Sequence, residues 1–347
     1  MNIRSAASSL PPPFPNALRI AVIQGGPSSE AEVSRVSAAG VAAALARRGH
    51  DVTRLELDDK LPANLMTAPY QVVFPVVHGA IGEDGCLQGL LELLRLPYVG
   101  AGVLASALAN DKVQAKVAFR AAGLPVAEEL VLVDDTKRET LAARALEALG
   151  TSVVIKPATQ GSGLGVTLLP DLSGPADARL LAALDTAFGL DDAVLVERFH
   201  RGREVTCGVL HLHGKTPFAL PPTEIRAKAA DWYDFQSRYG KGGSEHLCPA
   251  PLDPVTTARI QEIAVAAHRA LGVRDLCRCD FVVGPGGADA EVVLLEVNTI
   301  PGMTPTSLYP EAAGVAGTPF DELCDALAHS AKRRGTRRVN AAVPFPT

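Results

Sequence analysis

Three side chains with oxygen ligands lie on two neighbouring apolar segments in the last third of the chain, LCRCDFVV and EVVLLEVN. Asp280 is predicted to end the first strand, and Glu296 and Asn298 to end the second. Glu296 and Asn298 are two residues apart, so on an extended chain their side chains point the same way. Carboxylate and amide oxygens of this kind suit Mg²⁺ bound together with substrate phosphates. A solvated sheet edge is the alternative that these residues leave open.

A lysine and a glycine-rich loop stand together in VVIKPATQGSGLGV, residues 153–166. Lys156 ends a β-branched strand, so its ammonium and the backbone N–H groups of the loop can surround phosphates. The segment is not a G-x-x-x-x-G-K-[ST] loop, and no helix is predicted directly after it, which disfavours a P-loop or dinucleotide fold. Taken alone, it is also typical of a glycine-rich hairpin turn.

Two glutamates flank the turn between two strands in AVLVERFHRGREV, residues 193–205. Glu197 closes the first strand and Glu204 opens the next. A strand backbone can pair with the edge of an adenine and a nearby carboxylate can bind its sugar, which predicts a nucleoside site. A charged hairpin is the alternative.

The N-terminal elements predict a parallel sheet. From Leu18, LRIAVIQGG is a buried strand that runs into Gly-Gly, and residues 29–48 predict a helix with a serine cap. Strands at 51–57 and 71–79 follow, so the order implies crossover helices, with ligands off the strands' C-terminal ends.

The later elements predict antiparallel sheets. Residues 128–133, 137–149 and the lysine strand indicate a small α/β unit, and three strands from Val194 onward indicate an antiparallel sheet. A long polar loop at 226–249 interrupts that sheet, and loops of this length are typical of lids.

Composition excludes several classes of protein. The 347 residues suggest two or three domains, and 47% hydrophobic against 20% charged residues disfavours disorder. A net charge of -5 disfavours a nucleic-acid surface, and no apolar run reaches the ~20 residues that span a bilayer. Six cysteines without C-x-x-C spacing and the lack of a secretory signal favour the cytoplasm. Neither a nucleic-acid nor a membrane partner is expected.

In order along the chain, these motifs resemble the D-alanine–D-alanine ligases of the ATP-grasp superfamily. The resemblance runs from about Leu18 to Leu327 and rests on seven segments: GGPSSEAEVS (25–34), HGAIGEDGCLQGLLELLRLPYVG (78–100), SALANDK (106–112), IKPATQGSGLGV (155–166), WYDFQSRY (232–239), CRCDF (277–281) and EVNTIPGMTPTSL (296–308).

The resemblance implies a mixed α/β, three-domain ATP-grasp fold: an N-terminal parallel-sheet domain, a small central α/β domain and a C-terminal domain on an antiparallel sheet. The expected boundaries are a flexible leader at 1–17, the N-terminal substrate-binding domain at 18–110, the central subdomain at 111–198, the C-terminal catalytic subdomain at 199–331 with its lid loop at 226–249, and a basic tail at 332–347.

The implied reaction joins two D-alanines through an acylphosphate, with ATP as substrate, for peptidoglycan precursor synthesis. For the nucleotide, the resemblance implies that phosphates are bound by Lys112 and Lys156, adenine by Glu197, ribose by Glu204, and the γ-phosphate by Arg238. Two Mg²⁺ ions, or Mn²⁺, would be bound by Asp280, Glu296 and Asn298.

For the amino acids, the resemblance implies that Glu30 binds the first ammonium within a set that includes Ser162 and Tyr239, and that His78 lies nearby. The second carboxylate would be bound by Ser307 and Leu308. The oxyanion would be stabilised by Arg278 and the backbone N–H of Gly302, whose glycine is expected to supply dihedral angles that the turn needs.

Four positions depart from the family's pattern. Gly163 follows Ser162 where a second serine is usual, Gln160 replaces a frequent glutamate, Arg238 replaces a lysine, and His246 replaces an aromatic residue. Because the charge of a histidine changes near neutral pH, His246 raises the hypothesis of an altered preference between amine and hydroxyl acceptors.

Two alternatives remain open from the sequence. A relative that uses D-lactate, D-serine or another amino acid as acceptor would share the ATP residues. A nucleotide sensor on the same scaffold would not need Arg278 as an oxyanion donor. The resemblance also implies a homodimer.

Overall fold

The chain folds into three β-sheets, each packed against helices. The structure is a computed structural model that describes residues 17–227 and 243–336. Arg238 and Tyr239 therefore lie outside the described residues. None of the described helices is long and apolar enough to cross a bilayer.

The N-terminal sheet is parallel, as predicted. It consists of three strands, β1 (Arg19–Gln24), β2 (Asp51–Glu56) and β3 (Val72–Pro75), in the order β2-β1-β3. The helices of this region are α1 (Ala31–Arg47), α2 (Leu61–Met66), α3 (Cys86–Leu93) and α4 (Val103–Asn110). Apolar clusters on both faces of the sheet bury β1 and β3, which explains their continuous hydrophobic sequences.

The predicted serine cap of the first helix is wrong. Helix α1 begins at Ala31, and its N-cap residue Glu30 makes no capping side-chain bond. The hydroxyl of Ser28 instead donates to the carbonyl of His78 at 2.7 Å. The residues before α1 thus bind the loop after β3, and Glu30 lies beside that loop.

The central sheet is antiparallel. Its strands are β4 (Glu129–Val133), β5 (Val153–Pro157), β6 (Thr167–Leu169) and β7 (Ala193–Arg198), in the order β4-β7-β5-β6. Helix α5 (Lys112–Ala121) leads into this region, and α6 (Arg138–Leu149) and α7 (Ala178–Phe188) cover the sheet with one apolar cluster.

The C-terminal sheet has six strands. They are β8 (Arg203–His211), β9 (Phe218–Ala219), β10 (Thr223–Ala227), β11 (Ser244–Leu247), β12 (Asp275–Val283) and β13 (Val292–Asn298), and all their pairings are antiparallel, as predicted. Helix α8 (Pro254–Ala270) packs on one face, and α9 (Leu308–Val315) and α10 (Phe320–Arg334) follow β13.

Two details of this sheet differ from expectation. The strand at 193–198 belongs to the central sheet, not to the sheet of β8, because it pairs with β4 and β5. Strands β10 and β11 pair with each other, and both include residues of the loop expected at 226–249. The described residues at the two ends of that loop therefore belong to the sheet.

A buried carboxylate joins the N-terminal region to the C-terminal sheet. Asp275, fully buried at the start of β12, accepts hydrogen bonds from the backbone N–H of Gly100 at 2.9 Å and from the hydroxyl of Ser330 at 3.0 Å. The guanidinium of Arg334 on α10 lies 2.6 Å away. One side chain thus connects the segment after β3, β12 and the last helix.

We expect Asp275→Asn to lower the free energy of unfolding by about 3 kcal/mol, because it breaks a buried ion pair and leaves a guanidinium without its anion. Asparagine tolerates the positive φ of 61° at this position, so backbone strain is matched. Urea unfolding measures the change. The control is Asp51→Asn, which breaks the exposed pair with Arg19 and should cost at most about 1 kcal/mol; equal losses in both variants would contradict the prediction.

Candidate active site

A cavity of about 470 Å³ lies where the three sheets meet. Ten of the residues singled out in the sequence line it: Glu30, His78, Lys112, Ser162, Arg278, Glu296, Asn298, Gly302, Ser307 and Leu308. The structure thus brings together residues up to 278 positions apart, from Glu30 to Leu308. Asp280, Lys156, Glu197 and Glu204 lie outside this lining.

The pairing of β12 with β13 places the predicted metal ligands on one sheet face. Asp280 pairs directly with Glu296, and Arg278 pairs with Asn298. Alternate residues share a face, so all four side chains are on the same side. Asp280 does not end its strand, because β12 continues to Val283, with a register shift just after Asp280.

Hydrogen bonds already orient two of these ligands. Arg278 donates to both carboxylate oxygens of Asp280 at 2.8 Å, and the hydroxyl of Thr206 donates to one of them at 2.8 Å. The side-chain oxygen of Asn298 accepts from the backbone N–H of Ile300 at 2.9 Å. Carboxylate and amide oxygens grouped on one sheet face have the chemistry for a hard divalent cation.

The turn at Pro301 and Gly302 needs glycine for a different reason from the one expected. Gly302 does not have a left-handed φ. A Cβ at this position would instead lie 3.0 Å from the hydroxyl oxygen of Ser307. Ser307 precedes α9 and bonds to Thr304, with its hydroxyl oxygen 3.1 Å from the Thr304 N–H, so the glycine allows two backbone segments to approach closely.

The glycine-rich loop after β5 meets the start of α1. Ser162, at a positive φ of 54°, donates its hydroxyl hydrogen bond to the carboxylate of Glu30. The ammonium of Lys112 lies 2.5 Å from the carbonyl oxygen of Gln160 and 3.9 Å from the carboxylate of Glu296. Burial lowers the pKa of Lys112, and Glu296 opposes that shift.

A buried ion network lies behind the loop. The carboxylate of Glu197, 2% exposed, lies 2.6 Å from the ammonium of Lys156 and 2.7 Å from that of Lys116. Burial alone would raise the pKa of Glu197, but the two ammonium groups lower it to about 2. Burial also lowers the pKa of Lys116, against the attraction of Glu197.

Sequence reasoning missed Lys116. It lies one helical turn after Lys112 on α5 and is 1% exposed. Lysine is rarely buried without a partner, so a lysine on the buried side of a helix was the available signal. Its partner, Glu197, is 81 positions away and could not be identified without the fold.

A second missed residue is Glu83, in the loop between β3 and α3. It lines the cavity, and one of its oxygens accepts the backbone N–H of Gly79 at 2.6 Å. Burial raises the pKa of Glu83 to about 8. Burial lowers the pKa of the neighbouring His78, against the attraction of Glu30.

The remaining predicted residues lie at the edges of the site. Glu204 is at the start of β8, opposite Val282 of β12. His246 on β11 lines the cavity, with one ring nitrogen 3.0 Å from the carboxylate of Glu311 and the other 3.2 Å from the hydroxyl of Ser244.

A separate cluster of His50, Asp325 and His329 has the residue types of a metal site. The backbone N–H of Leu18 donates to Nδ1 of His50 at 3.0 Å, so the ring proton is on Nε2. Nε2 then donates to Asp325 at 2.8 Å and has no lone pair for a metal. This cluster is a hydrogen-bonded contact between β2 and α10.

Comparison with known proteins agrees with this geometry. A family model described as "D-ala D-ala ligase C-terminus" matches residues 118–329, and one described as "D-ala D-ala ligase N-terminus" matches residues 59–101. The chain belongs to the D-alanine–D-alanine ligase family. The resemblance seen in the sequence is thereby confirmed.

Relatives within this family are similar over most of the chain. The D-alanine–D-alanine ligase of Parvibaculum lavamentivorans is 44% identical over 310 residues, which is 88% of this chain and 95% of the relative. That of Halalkalibacterium halodurans is 43% identical over 307 residues, which is 88% of this chain and 96% of the relative.

Solved ligases of the family share the fold. A D-alanine–D-alanine ligase from Bacillus anthracis complexed with ATP matches with a TM-score of 0.76 and 29% identity, over 92% of this chain and 98% of that one. The ligase from Coxiella burnetii matches with a TM-score of 0.74 and 30% identity, over 91% and 96%. The predicted ATP-grasp fold is confirmed.

We expect Lys116→Met to shift acid unfolding to higher pH. The ion pairs of Glu197 stabilise the fold fully above its ordinary pKa of 4.5, and this contribution is lost as pH falls through about 2. Removing one ammonium brings the folded pKa closer to 4.5, so the loss begins earlier. Circular dichroism between pH 7 and pH 2 measures it.

The control for this variant is Arg144→Met. Arg144 on α6 pairs with Asp135, and both side chains are about half exposed. The acid limb of this variant should overlay that of the unsubstituted protein. If both variants shift alike, the buried network is not responsible.

Proposed function

We propose that the chain is an ADP-forming ligase that joins two D-alanines into D-alanyl-D-alanine. The observation that carries this proposal is the shared cavity, which is lined by the Glu30 carboxylate and the Arg278 guanidinium. In the proposed reaction the first binds an ammonium and the second stabilises an oxyanion. A protein that only senses nucleotides needs neither group at one site. The family relationship and the close match to an ATP complex support ATP as the phosphoryl donor.

The nucleotide is bound between the central and C-terminal sheets. The phosphates are bound by Lys156, on β5 just before the glycine-rich loop, and by Lys112, at the start of α5, whose ammonium contacts the loop at the Gln160 carbonyl. Lys156 holds the Glu197 carboxylate until the phosphates arrive. Glu197 and Glu204 bind the nucleoside, and Arg238 binds the γ-phosphate.

The acidic face of β12 and β13 is the site for two Mg²⁺ ions, with Mn²⁺ as a substitute. Asp280, Glu296 and Asn298 hold them, because the pairing of the strands places all three donors on one side. Held by these residues, the cations would supply positive charge to the phosphate oxygens during phosphoryl transfer.

The first D-alanine is activated near Glu30. Its ammonium binds the Glu30 carboxylate, which Ser162 orients, and His78 lies against the substrate. Tyr239 completes this set from the lid. The substrate carboxylate then attacks the γ-phosphate in line and becomes an acylphosphate.

The second D-alanine binds beside the turn at Gly302. Its carboxylate is bound by Ser307 and Leu308 at the start of α9, where backbone N–H groups and the helix dipole favour an anion. Its amine attacks the acylphosphate. Arg278 and the N–H of Gly302 stabilise the oxyanion, and closure of the lid excludes water that would hydrolyse the acylphosphate.

The product serves peptidoglycan synthesis in the cytoplasm, and the enzyme acts as a homodimer on small molecules. The net charge of -5 supports the absence of a nucleic-acid partner.

The test is an assay of purified protein with ATP, Mg²⁺ and a panel of D- and L-amino acids and D-lactate, with ADP and the joined product as readouts. We expect ADP and D-alanyl-D-alanine in equal amounts from D-alanine. We expect Arg278→Lys to lower kcat by about 10²–10³, because lysine cannot hold Asp280 with two parallel bonds and stabilise the oxyanion at once.

Arg19→Lys is the control for this substitution, since Arg19 makes only an exposed pair on the N-terminal sheet. Its kcat should equal that of the unsubstituted enzyme. ADP release that does not depend on any amino acid would reject the ligase assignment, and full activity of Arg278→Lys would reject the oxyanion role.

One observation favours a second acceptor. His246 lies in the lining near Ser307 and pairs with Glu311 on α9. Because a histidine replaces an aromatic residue of the family at this position, it can alter the preference between an amine and a hydroxyl acceptor. The second candidate function is therefore depsipeptide formation with D-lactate.

We expect His246→Phe to lower the ratio of D-alanyl-D-lactate to D-alanyl-D-alanine at fixed pH, by about tenfold if His246 favours the hydroxyl acceptor by ~1.4 kcal/mol. Mixed-substrate incubations, analysed by mass spectrometry, provide the measurement. An unchanged ratio in His246→Phe excludes His246 as the selector.

A further inference from the structure

Four carboxylates line the cavity: Glu30, Glu32, Glu83 and Glu296. Three of them already have a polar partner or a proposed role. Glu83 makes no ion pair among residues 17–227 and 243–336. The only hydrogen bond of its side chain among these residues comes from the backbone N–H of Gly79, which occupies one of the two carboxylate oxygens.

The other three carboxylates are poorly placed to accept a proton. Glu30 accepts from Ser162 and binds the first ammonium in the proposed reaction, and Glu296 belongs to the cation site. Glu32 pairs with Arg35, and its side chain is 84% exposed at the rim. Glu83 therefore lines the cavity with one oxygen that no described group bonds, and it has no other role in the proposed reaction.

The proposed ligation needs a proton acceptor that none of the roles given above provides. The second amino acid enters with its α-amino group as an ammonium, and an ammonium has no lone pair with which to attack the acylphosphate. One N–H proton must leave before the C–N bond forms. A carboxylate lining the same cavity as Arg278 and Gly302 can accept it.

We propose that Glu83 is a catalytic residue that takes this proton from the ammonium of the second amino acid. The inference rests on the proposed ligase function and adds a residue to it. Glu83 accepts the first proton, and the amine lone pair forms the C–N bond to the acyl carbon. The acyl carbon–oxygen bond then breaks, and phosphate leaves with the electron pair and takes the second N–H proton. Glu83 finally releases its proton to water.

The electrostatic surroundings match this task. A general base is most effective when its pKa lies near the working pH. The pKa of Glu83 is raised to about 8, first by burial and then by the negative charges of Glu30 and Glu296, while Arg278 and the Gly79 N–H lower it.

Other bases in the cavity fit less well. Burial lowers the pKa of His78, so it is a weaker base than an ordinary histidine. Lys112 is bound to the carbonyl of Gln160, and His246 is bound to Glu311 and Ser244.

A structural role of Glu83 must be separated from proton transfer. Its bond to Gly79 fixes the loop, whose other acid, Asp84, accepts the backbone N–H groups of Ile81 and Cys86. Glu83→Gln keeps an oxygen for the Gly79 N–H and removes the titratable group. This variant therefore changes the base and preserves the loop.

The experiment compares two nucleophiles in the purified enzyme with ATP, Mg²⁺ and D-alanine. The D-alanine amine must lose a proton before it attacks, whereas hydroxylamine is already neutral at pH 7 and traps the acylphosphate as a hydroxamate. In Glu83→Gln we expect dipeptide formation to fall by about 10²-fold or more, and hydroxamate formation to stay within about threefold of the unsubstituted enzyme.

The pH profile gives a second readout. In the unsubstituted enzyme, kcat for the dipeptide should rise with pH and level off below about 8, because the bound ammonium lowers the pKa of Glu83 from its ligand-free value. In Glu83→Gln this plateau should be lost, and the rate should keep rising with the fraction of neutral amine. Glu32→Gln, which changes a rim carboxylate, is the control and should keep both the rate and the plateau.

Each result decides the proposal. Equal losses of dipeptide and hydroxamate in Glu83→Gln would overturn it in favour of a structural role, and unchanged dipeptide formation would also overturn it. If the unsubstituted enzyme forms neither product, the ligase function itself fails, which is a different outcome from failure of Glu83 alone.

Discussion

The antiparallel register of β12 and β13 is the constraint on which the site depends. It sets Asp280 opposite Glu296 and Arg278 opposite Asn298, so four polar side chains share a single sheet face. A slip of one residue would turn all four to the apolar side, where Cys279 and Val297 now pack. The buried cysteines and valines therefore fix the positions of the groups that carry the chemistry. One face of this strand pair packs in the core, and the other carries the proposed catalytic groups.

Charge balance is the second organising feature, and it differs between the buried ion network of Glu197 and the cavity that Glu83 lines. Behind the glycine loop, Glu197 is held between Lys116 and Lys156, so a full negative charge is stable although it is buried. In the proposed nucleotide complex, Lys156 has phosphates as a second anion to bind. Lys116 still neutralises Glu197 in that complex, so the carboxylate keeps a cation in both states.

The sequence was informative where function requires a local pattern and silent where it requires a distant partner. Strand patterns predicted the parallel N-terminal sheet and the antiparallel C-terminal sheet, and the order of motifs, through the family resemblance, pointed to ten residues that line the cavity. The bond between Ser162 and Glu30 joins residues 132 positions apart, and nothing local indicates it. At Gly302 the sequence pointed to the right residue for the wrong reason. Glycine fits there because Ser307 lies close, and not because the backbone needs a left-handed dihedral angle. Distances across the fold, not residue types, decide such cases.

The same limit applies to acidity. Glu83 sits in a GEDG loop where its type suggests an ordinary solvated carboxylate, and only the assembled cavity raises its pKa. With Glu30 and Glu296 as neighbours and Arg278 as the opposing charge, the ligand-free cavity holds more acid than base. A proton on Glu83 relieves part of this excess. Entry of an ammonium adds a positive charge to the cavity, which favours the carboxylate form of Glu83 and lowers its pKa. The excess of carboxylates thus favours the protonated form of Glu83 while the cavity is empty. When an amino acid binds, its ammonium favours loss of that proton. In the proposed reaction Glu83 is then a carboxylate that can act as a base.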